Sequence, residues 1–98
     1  MYELSFSPGK IMQVWEKGTY VNDEWRKDDC GAWIHRDQYG RTDTDYGWQI
    51  DHIKPVSKGG SDDLLNLRPL HYLNNQAKAA GRTDCAVTSK GNTNVRTA

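Results

Sequence analysis

The chain has 98 residues, 36% hydrophobic and 27% charged, with a mean hydropathy of −0.89, which suits one domain with little core material. No run approaches the ~20 apolar residues of a membrane span, and the start, Met1-Tyr-Glu-Leu-Ser-Phe-Ser-Pro-Gly9, lacks the charged-then-apolar layout of a secretory signal; a membrane role and export by that route are not expected. Thirteen Lys/Arg balance thirteen Asp/Glu, but residues 1–50 hold nine acids against six bases and residues 51–98 four against seven, so the basic half is the second.

In chain order, Ile11-Met-Gln-Val-Trp-Glu-Lys17 carries apolar residues at 11, 12, 14 and 15, which fit neither period cleanly and suit a short helix or strand ended by Gly18. Residues 20–30 place Asn22 or Asp23 as a cap ahead of a helical turn. Ala32-Trp-Ile-His-Arg36 reads as a strand closed by a turn over Asp37–Gly40. Trp25, Trp33 and Trp48 are assigned to the core and not to a nucleobase-stacking surface, because a small domain must draw its buried area from large side chains, ~150–250 Å² each. Cys30 and Cys85 stand fifty-five residues apart without a C-x-x-C pair. They read as reduced thiols of a cytosolic protein, with neither a zinc knuckle nor a disulfide.

Trp48-Gln-Ile-Asp-His-Ile53 alternates as a strand does, Pro55 stops it, and Ser57–Asp63 is an exposed loop with turn chemistry. Asn66-Leu-Arg-Pro-Leu70 predicts a second strand, at an edge because of Pro69. His71–Ala80 has helix-forming composition and Gly81 is a natural stop. The segment Ala86–Ala98 has few apolar residues and is expected to fray.

Within this strand–loop–strand–helix order, Asp51-His52, Asn66 and Asn75 form a candidate constellation. A hydrolytic metal site needs an anionic oxygen ligand, a base beside the metal and a further ligand from another element. Neighbours on a strand point to opposite faces, so Asp51 can ligate while His52 reaches toward water; the Asn75 amide oxygen can complete the protein part of the shell. Oxygen ligation favours a hard cation, Mg²⁺ first and Mn²⁺ second.

The run Trp48–Lys78, with D-H-I-x-P-x-S-x-G-G, then N-L-x-x-L and N-x-x-K in register, resembles the HNH endonuclease motif. The resemblance implies an α+β domain of the small ββα-metal (His-Me finger) type. Its core would span residues 48–82, braced by an aromatic-rich N-terminal segment (1–47) and followed by a flexible tail (83–98). Carried over by position, His52 matches the general base, Asp51 the carboxylate metal ligand, Asn66 the Asn that braces the inter-strand loop and helps orient the base, and Asn75 the third motif position, making an H-N-N variant. The cysteines that hold a structural zinc in many relatives are missing: His71 and Asn74 stand at the second pair's positions, so no structural zinc is expected. Asn in place of His at position 75 shifts the expected metal toward Mg²⁺.

The resemblance implies metal-dependent hydrolysis of DNA phosphodiester bonds. Lys54, Lys58, Arg68, Lys78 and Arg82 are the expected phosphate contacts, which position the backbone and carry little sequence information. A cytoplasmic protein of bacterial or phage origin is expected, with an immunity partner only if it is a toxin. The alternative is a non-catalytic nucleic-acid-binding module on the same finger, which has no need of the Asp51-His52 pair. His35 and His71 are read as packing or surface residues, and Asp62 and Asp63 as loop or cap carboxylates.

Overall fold

The structure is a computed structural model that describes residues 6–97. Helix α1 (Pro8–Trp15) begins earlier than the apolar run suggests, because Ser7 and Pro8 set its start: Ser7 Oγ accepts from the Lys10 amide at 3.1 Å and Pro8 fills the first helical position. The helix buries Val14 and Trp15.

Strands β1 (Thr19–Tyr20), β2 (Trp25–Lys27) and β3 (Trp33–His35) form an antiparallel sheet with β2 in the middle. The helical turn expected after Asn22 is instead strand β2. Asn22 Oδ1 does accept amides, those of Glu24 at 2.9 Å and Trp25 at 3.0 Å, but the turn it closes returns the chain into the sheet. Pairing of Trp25 with His35 and of Lys27 with Trp33 puts these four side chains on one face; Arg26 and Ile34 share the other, where Ile34 is fully buried. Trp25 and Trp33 are therefore half-buried on the outer face and not core residues as expected, and only Trp48 of the three enters the core.

Strands β4 (Trp48–His52) and β5 (Leu67–His71) form an antiparallel hairpin, and β5 runs without a linker into α2 (Tyr72–Ala79). His71 ends the strand and caps the helix, its Nδ1 accepting from the Leu73 amide at 3.1 Å. Alternation divides the hairpin. Trp48, Ile50 and Leu67 face α1 in a core of Val14, Trp15, Ile34, Trp48 and Leu67, with the Trp15 and Trp48 rings 5.3 Å apart. Gln49, Asp51 and Arg68 take the other face, toward α2. With two helices and antiparallel sheets, the chain is a small α+β protein.

Two expectations about the cysteines and the C-terminal segment fail together. Residues 87–96 form a hairpin, β6 (Val87–Lys90) and β7 (Thr93–Arg96), and do not fray. Its anchors are polar: Asn94 Oδ1 accepts from the Trp33 amide at 2.7 Å while Nδ2 donates to the Trp33 and Asp45 carbonyls at 3.0 and 2.8 Å. Asn74 Oδ1 holds the approach to β6, accepting from the Ala86 and Val87 amides, each at 2.8 Å. That docking brings the two cysteines together, and Cys30 and Cys85 form a disulfide with their Cα atoms 5.8 Å apart, within the normal bridging range. They are not the reduced thiols expected, and the cytosolic reading that rested on free thiols loses its basis.

Candidate functional site

The α2-facing side of the hairpin concentrates the charge. Asp51, only 5% exposed, lies opposite Arg68 in the strand register and accepts from its Nε at 2.8 Å. From α2, Lys78 Nζ donates to both Asp51 oxygens, at 3.0 and 2.9 Å, and also to the carbonyls of His52 at 2.7 Å and Ile53 at 3.2 Å. Asn75 stands one turn earlier, as the three-residue helical spacing requires, and its Nδ2 donates to Gln49 Oε1 at 2.7 Å. Burial works against the Arg68 charge, but hydrogen bonds to Asp51 and Asp29 outweigh it and hold the guanidinium above its usual pKa.

His52 ends β4 on the opposite face, its ring 6.2 Å from that of Phe6. Its Nε2 lies 2.7 Å from Asp62 Oδ1, a carboxylate on the exposed loop ten residues further on. Asn66 ties that loop shut. Its Oδ1 accepts from the Lys54 amide at 2.8 Å, and its Nδ2 donates to the Lys54 carbonyl at 3.1 Å and the Ser61 carbonyl at 2.8 Å. Gly60 makes this closure possible, because a Cβ there would fall 1.7 Å from the Lys54 carbonyl oxygen.

Asp51, His52, Asn75, Lys58 and Lys78 line one cleft of about 520 Å³. Asn66 stands behind it and acts on the loop backbone. Arg68 and Arg82 line an adjacent cleft of about 530 Å³, which Lys58 and Lys78 also border. The five expected phosphate contacts thus divide. Arg68 and Lys78 are ion-paired to Asp51, and the exposed Arg82 is paired to Asp84 at 3.0 Å. Lys54 and Lys58 have no carboxylate within ion-pair distance among the described residues.

Among the described residues no three His, Cys, Asp or Glu side chains converge on a point where an ion could sit. The side-chain donors lining the cleft are the Asp51 carboxylate, the Asn75 amide oxygen, the His52 imidazole and the Ser57 hydroxyl. That set fits a hard cation such as Mg²⁺, which keeps most of its water and takes one or two protein oxygens. Asp51 and Asn75 are the carboxylate and amide oxygens of the set, and Arg68 Nε and Lys78 Nζ both donate to Asp51.

At the positions where the resemblance places a second zinc cysteine pair, His71 and Asn74 belong to a hydrogen-bonded cluster around the buried Asp28. Asp28 Oδ2 accepts from the His71 amide at 2.9 Å and Asn74 Nδ2 at 3.0 Å, while Oδ1 accepts from the Cys30 and Ala32 amides at 2.9 and 2.8 Å. The His71 ring is buried, which pushes its pKa below the usual value, and Nε2 lies 2.8 Å from the Asp45 carbonyl. With Nδ1 accepting from Leu73, the ring is a neutral Nε2–H tautomer. Asp28 escapes a reading of the sequence alone, since it stands at no periodic or motif position; Asp62 is the loop carboxylate expected, and only its contact with His52 lies beyond what the sequence shows.

A family model described as HNH endonuclease matches residues 29–81, more than half of the chain. Neither the curated proteins nor the solved structures contain a match.

Proposed function

The chain belongs to the HNH endonuclease family, and from that premise we propose that it is a divalent-metal-dependent endonuclease that hydrolyses DNA phosphodiester bonds. The observation that carries this reading is that Asp51, His52 and Asn75, from a strand and the helix facing it, line one cleft.

Each residue has a separable task. His52 takes the proton of the water that attacks phosphorus. With Nε2–H donated to Asp62, Nδ1 is the nitrogen left to accept that proton. Asp51 and Asn75 would hold the cation, which when bound supplies Lewis-acid stabilisation of the charge developing on the phosphate. Asn66 keeps the loop carrying Asp62 closed against Lys54. Lys58, at the cleft rim, attracts the phosphodiester backbone. The bond from phosphorus to the 3′ oxygen breaks, leaving 5′-phosphate and 3′-hydroxyl ends, with the leaving oxygen protonated by solvent.

Supercoiled plasmid incubated with the protein and Mg²⁺ or Mn²⁺ tests the reading. Nicked or linear product is expected, absent with EDTA and in His52→Ala. Cleavage that survives His52→Ala would remove His52 from the reaction. A protein that binds DNA without cutting under either metal would be the non-catalytic module.

A further inference from the structure

The outer face of the three-stranded sheet has no role in the chemistry above, yet it carries a cluster of aromatic rings, Trp25, Trp33, His35 and Tyr46. Register sets Trp25, Lys27, Trp33 and His35 side by side there. The Trp33 ring stands 89° to that of Trp25 with centroids 6.0 Å apart, and the Tyr46 ring stands 88° to Trp25 at 4.8 Å. Between them opens a cleft of about 310 Å³, lined by Val21, Asn22, Trp25, Trp33, Tyr46 and Asn92. The tryptophans are only half-buried, although the chain has a packed core elsewhere that contains neither of them.

The chemistry of the walls selects the occupant. No lining residue is charged; Glu24, next to Trp25 in the chain, lies 3.3 Å from His35 Nε2, and Lys27 Nζ stands 4.7 Å from the centre of the Trp33 ring, where it would repel a cationic ligand. Among the described residues no carboxylate lies within ion-pair distance of Lys27, which leaves its charge to an external anion. Asn22 Oδ1 is taken by the Glu24 and Trp25 amides, leaving its Nδ2 as a donor at the cleft wall. A flat neutral ring with polar edges, attached to an anionic group, satisfies all of these, and that is a nucleotide. A base inside a duplex has no free face to offer, so the base must be unpaired.

We infer that Trp25, Trp33 and Tyr46 form a stacking site for an unpaired base of single-stranded DNA, with Lys27 on the adjoining phosphate. The inference rests on the nucleic-acid reading of the chain and names the form of substrate.

The test uses the intact, oxidised protein in EDTA, titrated by tryptophan fluorescence with an oligothymidylate and with an abasic deoxyribose-phosphate oligomer of equal length. The oligothymidylate is expected to quench the fluorescence and to bind more tightly than the abasic strand by about fivefold to a hundredfold, the range for stacking one base on an aromatic side chain. Trp25→Leu should remove that preference. Lys27→Ala, a surface change with little bearing on folding, should weaken both strands alike and lower the salt dependence of binding by about one phosphate contact. Equal affinity for the two strands, or an unchanged preference in a folded Trp25→Leu protein, overturns the stacking site, as does quenching by an unrelated peptide but not by DNA. Plasmid cleavage by the unmodified protein is read separately: cleavage without base preference leaves the nuclease and removes the stacking site, and base preference without cleavage does the reverse.

Discussion

Asn74 Nδ2 lies 3.0 Å from Asp28 Oδ2, and through that contact the start of α2 is fastened to the turn that follows β2. Asn74 turns its other amide atom toward the amides of Ala86 and Val87, so one side chain joins three segments. Four N–H donors surround the Asp28 carboxylate, an arrangement that keeps a buried charge tolerable without a metal. The cluster includes His71 and Asn74, the positions where the resemblance puts a zinc cysteine pair.

Removing the centre of that cluster strands its donors. Asp28→Ala should cost about 3–5 kcal/mol, since it leaves buried N–H groups unpaired. Urea unfolding at neutral pH measures this, and a loss under about 1 kcal/mol would mean that water replaces the carboxylate freely.

The disulfide adds a second tie between the same segments. In the loop-entropy account, closing a loop of fifty-five residues' separation stabilises by about 4 kcal/mol. Dithiothreitol, or paired Cys30→Ser and Cys85→Ser changes, should lower Tm by about 10 °C or more. An unchanged Tm under reducing conditions would show that the hydrogen bonds of Asn74 and Asn94 suffice.

His71 gives the fold an acid limit. Burial depresses its pKa, so below the unfolded value of about 6.5 the unfolded chain binds a proton that the folded chain refuses. More protons bound in the unfolded state means that stability rises with pH, so it should fall as pH drops below about 6.5, by at most about 1.4 kcal/mol per unit from this residue. His71→Asn keeps a side-chain oxygen able to cap α2 and removes the titration, and its stability curve should be flatter between pH 6.5 and the acid limb of the carboxylates, near about pH 5. Parallel curves for the two proteins would assign the acid loss elsewhere.

At the proposed metal site, Lys78 and the cation would compete for the same Asp51 oxygens. Lys78→Ala should therefore tighten Mn²⁺ binding severalfold, read by calorimetry or by the paramagnetic signal, while lowering thermal stability through the loss of the anchor to Asp51, His52 and Ile53. A Kd for Mn²⁺ that does not move on this substitution, or on Asp51→Asn, would place the ion away from Asp51.

The part of the chain that can be read directly is the part whose periodicity and punctuation agree. β4, β5 and α2 fall within a residue or so of where alternation, Pro55, Pro69 and Gly81 put them. What escapes is set by tertiary contacts. Thr88, Ser89, Thr93 and Asn94 look like a solvated tail, and long-range contacts dock them as a hairpin: Asn94 meets the Trp33 backbone sixty-one residues away and Thr88 Oγ1 donates to the Cys30 carbonyl at 2.8 Å. The disulfide is equally invisible, since sequence separation says nothing about Cα distance. Trp25 and Trp33 have core-like composition, and only the register of β2 against β3 turns them outward. The Asp62–His52 contact depends on how the loop closes over Gly60, which no local pattern reports.

The Asp51–Arg68 pair has one more consequence, for how the hairpin comes together. A strand slipped by one residue exchanges its two faces, so a slip of β4 would turn Asp51 toward Trp15 and Leu67 and turn Trp48 and Ile50 toward Lys78 of α2. The ion pair and the apolar layer are satisfied in the same single register and lost in the same slip. Charge and grease thus act together as a proofreader of strand alignment, and the cleft is assembled only when that alignment has been passed.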